Sequence, residues 1–409
     1  MPTNHLGGAN ALQKVKKKFS ATTRQATETE LLLPTEAGVL GPETGMEHSS
    51  QLSQRVIVQS VDAQARRNVC SVTLDRLGPY RACYSADGRH VLLGGRKGHI
   101  MLVKWESPTM RCEVQVQETV RDVCFFRDHT MFAAAQNKSV YMYDEHGTEL
   151  HCLRNRVSQV SRLDFLRYHW LLATVSSSGK LSYLDVSTGA SVADLPTRLG
   201  GCDCMRVNPW NALVVLGHNS GAVTMWTPNL AGPAVKILAH KGLVTALAVD
   251  RNGRYMASSG RDGTLKVWDV RTHRPLHSYT TPRPACSIDI SERGMLAAVA
   301  GPSVQIFKDC LATCNFGPYI THLLPTCESE SIRFCPYEDM LGVGHSKGFC
   351  SMLVRAAARR DLALALTHLS RTTSPSSLHT FRFPARVSLT STPTRSTPTS
   401  PAPSVSRAV

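Results

Sequence analysis

Residues 258–269 read Ser-Ser-Gly-Arg-Asp-Gly-Thr-Leu-Lys-Val-Trp-Asp, or SSGRDGTLKVWD. Ser258 and Asp262, with His240 upstream, are the residue types of a hydrolytic triad. They are also parts of one unit in a repeat, and the choice between these readings decides the fold. Aligned on GTLKVWD (263–269), the frame recurs as GHIMLVK (98–104), KSVYMYD (138–144), GKLSYLD (179–185), GAVTMWT (221–227), PSVQIFK (302–308) and GFCSMLV (348–354). The large sixth residue is Val103, Tyr143, Leu184, Trp226, Trp268, Phe307 and Leu353, at spacings of 40, 41, 42, 42, 39 and 46. Seven units at a period of about 40–45 residues have the spacing of four-stranded propeller blades.

Each unit has a second half upstream. ALAVDRNGRYMASSG (246–260) carries two strand patterns around a tight Asn-Gly turn, and ACYSADGRHVLLGG (82–95) and CMRVNPWNALVVLGH (204–218) repeat the scheme. A strand of alternating residues leads into Asp, Asn, Pro or Gly turn chemistry, and a more apolar strand follows.

In such a blade a Trp buries its ring between sheets and must place its N–H on a partner. Ser258 in the neighbouring strand can accept that bond, His240 can bond Ser258, and Asp262 can hold His240. The four residues read as a structural hydrogen-bond network. The hydrolase alternative lacks a G-x-S-x-G elbow and a strand–turn–helix setting.

The bulk composition narrows the classes further. No run approaches the roughly 18 apolar residues of a membrane helix. The segment MPTNHLGGANALQKVKKKFS has no apolar core of a secretory signal, and an intracellular chain is expected. Thirteen scattered cysteines without a C-x-x-C pair suit core packing better than a disulfide framework. Cys202-x-Cys204, Cys310-x-x-x-Cys314, Cys327 and Cys335 fit no zinc spacing, so no metal is expected. There is no Walker loop and no dinucleotide fingerprint, and no cofactor or small-molecule substrate is expected. Gly94-Gly-Arg-Lys-Gly98 is basic and glycine-rich, but it stands where a blade's hairpin turn belongs.

The net charge is +15. Residues 1–75 hold 8 basic and 7 acidic side chains, residues 76–354 hold 30 and 23, and residues 355–409 hold 8 and 1. This balance suits an acidic partner, and nucleic acid is the commonest inside cells. Lys14, Lys16, Lys17 and Lys18, with Arg96 and Lys97, are the candidate phosphate contacts.

Three segments follow. Residues 1–75 form an extension with two short helical patterns, 11–19 and 51–68, and a basic cluster at 14–18. Residues 76–354 hold the seven units. Residues 355–409 contain 25 Ser, Thr or Pro, a composition too polar to offset chain entropy by burial, and are read as disordered. The ring closes either on the segment before Tyr80 or on residues 316–324.

With the units in place, the chain resembles the WD40 repeat class, an all-β seven-bladed β-propeller. The strings LGPYRACYSADGRHVLLGGRKGHI, NPWNALVVLGHNSGAVTMWTP, KILAHKGLVTALAVD and FCPYEDMLGVGHSKGF go beyond that pattern. Over residues 55–354 they resemble nucleolar WD-repeat proteins of the small-subunit processome with a BING-type C-terminal region. The resemblance implies a non-catalytic nucleolar scaffold for 40S assembly and pre-18S RNA processing. Its implied partners are other processome proteins, pre-ribosomal RNA and the U3 small nucleolar RNA particle. A general WD40 adaptor without an RNA role is the alternative. After Val354 the chain departs from the family, which continues as a Lys/Arg-rich helical extension. The break reads as an altered transcript or reading frame, an expectation that sequencing the transcript across the Val354 codon tests.

Overall fold

The computed structural model describes residues 13, 16–17, 20, 49–61, 66–105, 107, 109–154, 159–314, 317–337 and 340–354. Twenty-eight strands form seven four-stranded antiparallel sheets. The first six blades span 80–115, 122–152, 160–196, 202–238, 244–280 and 287–323, each with strands hydrogen-bonded in chain order.

The seventh blade is shared between distant parts of the chain. Ser329–Phe334, Met340–His345 and Gly348–Leu353 supply three strands, and Ser71–Thr73 supplies the fourth. The closing strand therefore comes from within the segment read as an extension. Pro318–Leu323 instead forms the outer edge of the sixth blade. Burial explains the choice, because Val72 enters the largest core cluster with Phe349, Met352 and Leu353.

Three residues of Ser71–Thr73 cannot cover a six-residue neighbour. The remaining polar groups of Gly348–Leu353 are met by the chain just upstream. Ser351 N–H donates to the Cys70 carbonyl at 2.8 Å, and Ser351 Oγ donates to the Asn68 carbonyl at 3.0 Å. Helix α1 (Gln54–Ser60) lies beside them, and Gln54 Nε2 donates to the Leu353 carbonyl at 3.0 Å. Ile57 is 1% exposed in the same cluster, so the helix is held by tertiary burial rather than by its β-branched sequence. It is shorter than the 51–68 pattern because Val61 turns extended and packs inward. Arg66 then donates to the Val58 and Gln59 carbonyls.

The repeat frame maps onto register. All seven sixth-place residues are buried on the third strand of their blade. Each pairs with an early residue of the second strand, as Trp268 does with Met256 and Trp226 with Val214.

Charged residues on the innermost strands join blade to blade. Asp122 accepts from Leu163 N–H at 3.0 Å, Asp164 from Val207 N–H at 3.1 Å, and Asp289 from Phe334 N–H at 2.7 Å. Arg81 pairs with Glu330 at 3.1 Å across the closure and lies 3.8 Å from Asp122. Arg206 donates to the Leu247 carbonyl at 3.2 Å, and burial lowers its pKa to about 10. Two cavities along these strands measure about 60 and 170 Å3, small beside the few hundred Å3 of an ordinary ligand site.

Candidate functional site

The fifth blade brings the four residues of the repeat network into one chain of bonds. Trp268 Nε1–H donates to Ser258 Oγ at 2.9 Å. Ser258 Oγ lies 2.8 Å from His240 Nε2. His240 Nδ1 lies 3.2 Å from Asp262 Oδ1 and 3.0 Å from Thr264 Oγ1. Ser258 is 0% exposed and Trp268 is 4% exposed.

These distances assign the protons. Asp262 is acceptor-only when ionised, so His240 carries its proton on Nδ1 and donates there. Nε2 then accepts from the Ser258 hydroxyl, whose oxygen accepts from Trp268. Burial holds the His240 pKa down, against the opposing pull of Asp262, so the ring is neutral. The serine hydroxyl is committed at both ends and out of reach of solvent. Chemically, the arrangement locks the ring edge in place and offers no free nucleophile.

Other blades meet the same need differently, which the sequence frame did not reveal. In the fourth, Trp226 Nε1–H donates to Thr224 Oγ1 at 2.8 Å, two residues earlier on its own strand. His218 Nε2 lies 2.6 Å from Thr224 Oγ1, and its Nδ1 lies 2.9 Å from Cys202 Sγ. In the second, Gln136 Nε2 donates to Tyr143 Oη at 2.6 Å. In the first, Tyr80 Oη and His99 Nδ1 are 3.2 Å apart, and His99 Nε2 lies 3.1 Å from Glu113. For the two polar sixth-place residues the signal was a polar side chain in the same blade, Thr224 two places before Trp226 and Gln136 seven places before Tyr143.

The surface divides into two unlike faces. Chain order puts the turns between second and third strands on one face, with the loops that link blades. Among described residues, these turns carry Arg96, Lys97, Lys138, Arg261 and Lys347 against a single acid, Asp262. That acid already bonds His240, Thr264 and the Lys241 N–H. The linking loops add Arg76, Arg121, Arg154, Arg198, Lys241 and Arg283 against Asp75, Glu118 and Glu328. No ion pair between described residues engages any of the five turn cations. The opposite face holds the turns between first and second strands, where arginines alternate with acids and exposed aromatic rings.

Arg96 and Lys97 are exposed at the tip of a turn on the basic face, and Lys97 Nζ donates to the Arg76 carbonyl at 3.2 Å. Lys16 and Lys17 are helical and exposed. Lys14 and Lys18 lie outside the described residues, as does the tail 355–409.

The family described as nucleolar protein 10-like, N-terminal domain, matches residues 79–340. WD repeat-containing protein 46 of Mus musculus is 44% identical over 351 residues, covering 85% of this chain and 56% of the mouse protein. U3 small nucleolar RNA-associated protein 7 of Saccharomyces cerevisiae is 38% identical over 366 residues, covering 86% of this chain and 66% of the yeast protein. WD repeat-containing protein 46 of Caenorhabditis elegans is 39% identical over 349 residues, covering 85% and 60%. The chain thus spans between about half and two thirds of the length of these relatives.

Proposed function

We propose, for a chain that belongs to the nucleolar protein 10-like family of N-terminal β-propeller domains, the role of a non-catalytic scaffold in the nucleolar small-subunit processome. In this role it supports 40S assembly and pre-18S RNA processing through contacts with RNA and with other processome proteins. The observation that carries the reading is the similarity over 86% of the chain to a yeast protein named for its association with U3 small nucleolar RNA. The basic face supports it, since cations free of ion pairs gain most from releasing the counterions of RNA phosphates.

The proposed division of labour follows the chain. Residues 76–354 act as the rigid ring, with Ser71–Thr73 as its closing strand. Within residues 1–75, the segment upstream of helix α1 carries Lys14, Lys16, Lys17 and Lys18 to RNA, and residues 355–409 follow the ring as a tail. Arg96 and Lys97 are phosphate contacts on the ring itself.

Gradient sedimentation of nucleolar extracts tests the reading. The chain should co-migrate with large pre-ribosomal particles and shift when RNA is digested. Migration as a small complex insensitive to RNase favours a general adaptor and overturns the proposal. Charge reversal of Arg96 and Lys97 should lower the slope of log affinity against log salt by roughly 0.7–0.9 per lost phosphate contact. Neutralising the four N-terminal lysines should act in the same direction. An unchanged slope removes the altered residues from the interface.

A further inference from the structure

The face opposite the basic one carries a different chemistry. In blades 3 and 4, the turns between first and second strands present Tyr168 at 86% exposure, Trp210 at 76% and Trp170 at 36%. The other three tryptophans of the chain are buried. Around these rings, the turns of blades 2 to 5 place Arg127, Arg167, Arg251 and Arg254, with Asp128 as the one exposed acid because Asp250 is buried. The Arg127 guanidinium lies 5.7 Å from the Trp170 ring centre. Arg251 lies 4.9 Å from the Tyr337 ring of the seventh blade and pairs with Glu292.

Two features set this arc apart from an ordinary protein-docking patch. Every exposed large apolar residue in these turns is aromatic, whereas exposed aliphatic ones such as Leu150, Val192 and Leu276 lie on outermost strands. Along the chain the rings alternate with polar neighbours, including His169, Asn211 and Asn252, and one exposed aliphatic side chain, Leu230, stands in the turn between the third and fourth strands of blade 4 on the same face. In addition, Trp170 and Tyr337 hold left-handed backbone at φ 55° and 65°, a conformation that bulky side chains rarely adopt.

Bare rings on turn tips, interleaved with arginine, match the way unpaired bases are held: π-faces stack and guanidinium groups take the phosphates. The basic face lacks this capacity, since its turns between second and third strands contain no aromatic residue. We propose that the arc formed by Tyr168, Trp170, Trp210 and their arginines binds single-stranded RNA by stacking. The basic face takes phosphates without regard to pairing. The inference rests on the reading that this chain works on ribosomal RNA precursors, and it assigns unpaired segments to one face.

The test uses the full chain and two labelled probes, a short oligoadenylate and an RNA duplex, followed by fluorescence anisotropy. Tyr168→Ala combined with Trp210→Ala should weaken oligoadenylate binding about tenfold or more per ring lost. Duplex affinity should stay nearly constant, and urea midpoints should match the parent. Trp170→Phe, which keeps a ring, should retain binding, and oligoadenylate should quench tryptophan fluorescence in the parent. Unchanged affinity of the double variant for the single strand overturns the inference. If that variant instead sheds a co-purifying protein, the arc is a protein surface. Neither outcome alters sedimentation of the parent chain with pre-ribosomal particles, so this inference can fail while the scaffold reading stands.

Discussion

Replacing Ser258 by alanine removes one oxygen and strands two buried groups. Trp268 Nε1–H loses its acceptor at 2.9 Å, and His240 Nε2 loses the hydroxyl at 2.8 Å. With Ser258 at 0% exposure, no water replaces either bond. A stranded buried polar group costs about 1–3 kcal/mol, so stranding two should cost about 2–6 kcal/mol in all. Against a total stability of about 5–15 kcal/mol, this is a large fraction. Urea denaturation followed by near-ultraviolet circular dichroism measures it. The mechanism is tested more sharply in a Trp268→Phe background. There the indole N–H is already gone, alanine strands only the histidine nitrogen, and the cost of Ser258→Ala should fall by about 1–3 kcal/mol. A loss below about 0.5 kcal/mol, or an identical loss in both backgrounds, would falsify the network. Complete removal of the ring in Trp268→Ala should cost about 3–5 kcal/mol, and His240→Ala about 1–3 kcal/mol.

Two further outcomes follow from the same cores. His218 is 0% exposed, and burial pushes its pKa from 6.5 down to about 4. The unfolded chain takes up a proton below about pH 6.5 while the folded ring resists it, so its stabilising contribution is lost as pH falls from about 6.5 towards 4. The loss should reach about 3 kcal/mol. Urea midpoints against pH should therefore decline less steeply in His218→Gln, and an equally steep decline refutes the assignment. At Gly260, an added Cβ would stand 2.5 Å from His240 Cγ. Gly260→Ala should thus displace the imidazole at a cost of about 1–3 kcal/mol by overpacking, and a variant as stable as the parent contradicts this contact.

The ring and its strongest blade core were legible in the sequence because both are local. A sixth-place residue, a turn and a polar partner recur within one unit, and a sheet with period-2 burial has only one way to place them. His240, Ser258, Asp262 and Trp268 span 29 residues of one blade and the loop that enters it, so spacing sufficed to relate them. The substitutes elsewhere were less readable. Thr224 serves the Trp226 indole from the same strand, and Gln136 serves a tyrosine, because any side chain that reaches the buried donor or acceptor will do.

Closure, the inter-blade bonds and the two faces depended on tertiary structure. Ser71–Thr73 pairs with Gly348–Leu353 across most of the chain, and no local pattern marks a three-residue strand as the one that closes a ring. The carboxylates of Asp122, Asp164 and Asp289 read from sequence as ordinary strand polars, yet ring geometry aims each at the next blade's backbone N–H. Charge totals gave a basic protein. Only the alternation of turns about the ring gathered Arg96, Lys97, Lys138, Arg261 and Lys347 on one face and the exposed aromatic rings on the other. Local periodicity by itself determines which residues enter a blade, because burial repeats with the strand. Which surfaces result is decided by closure, which sets side by side turns that are some 40 residues apart in the chain.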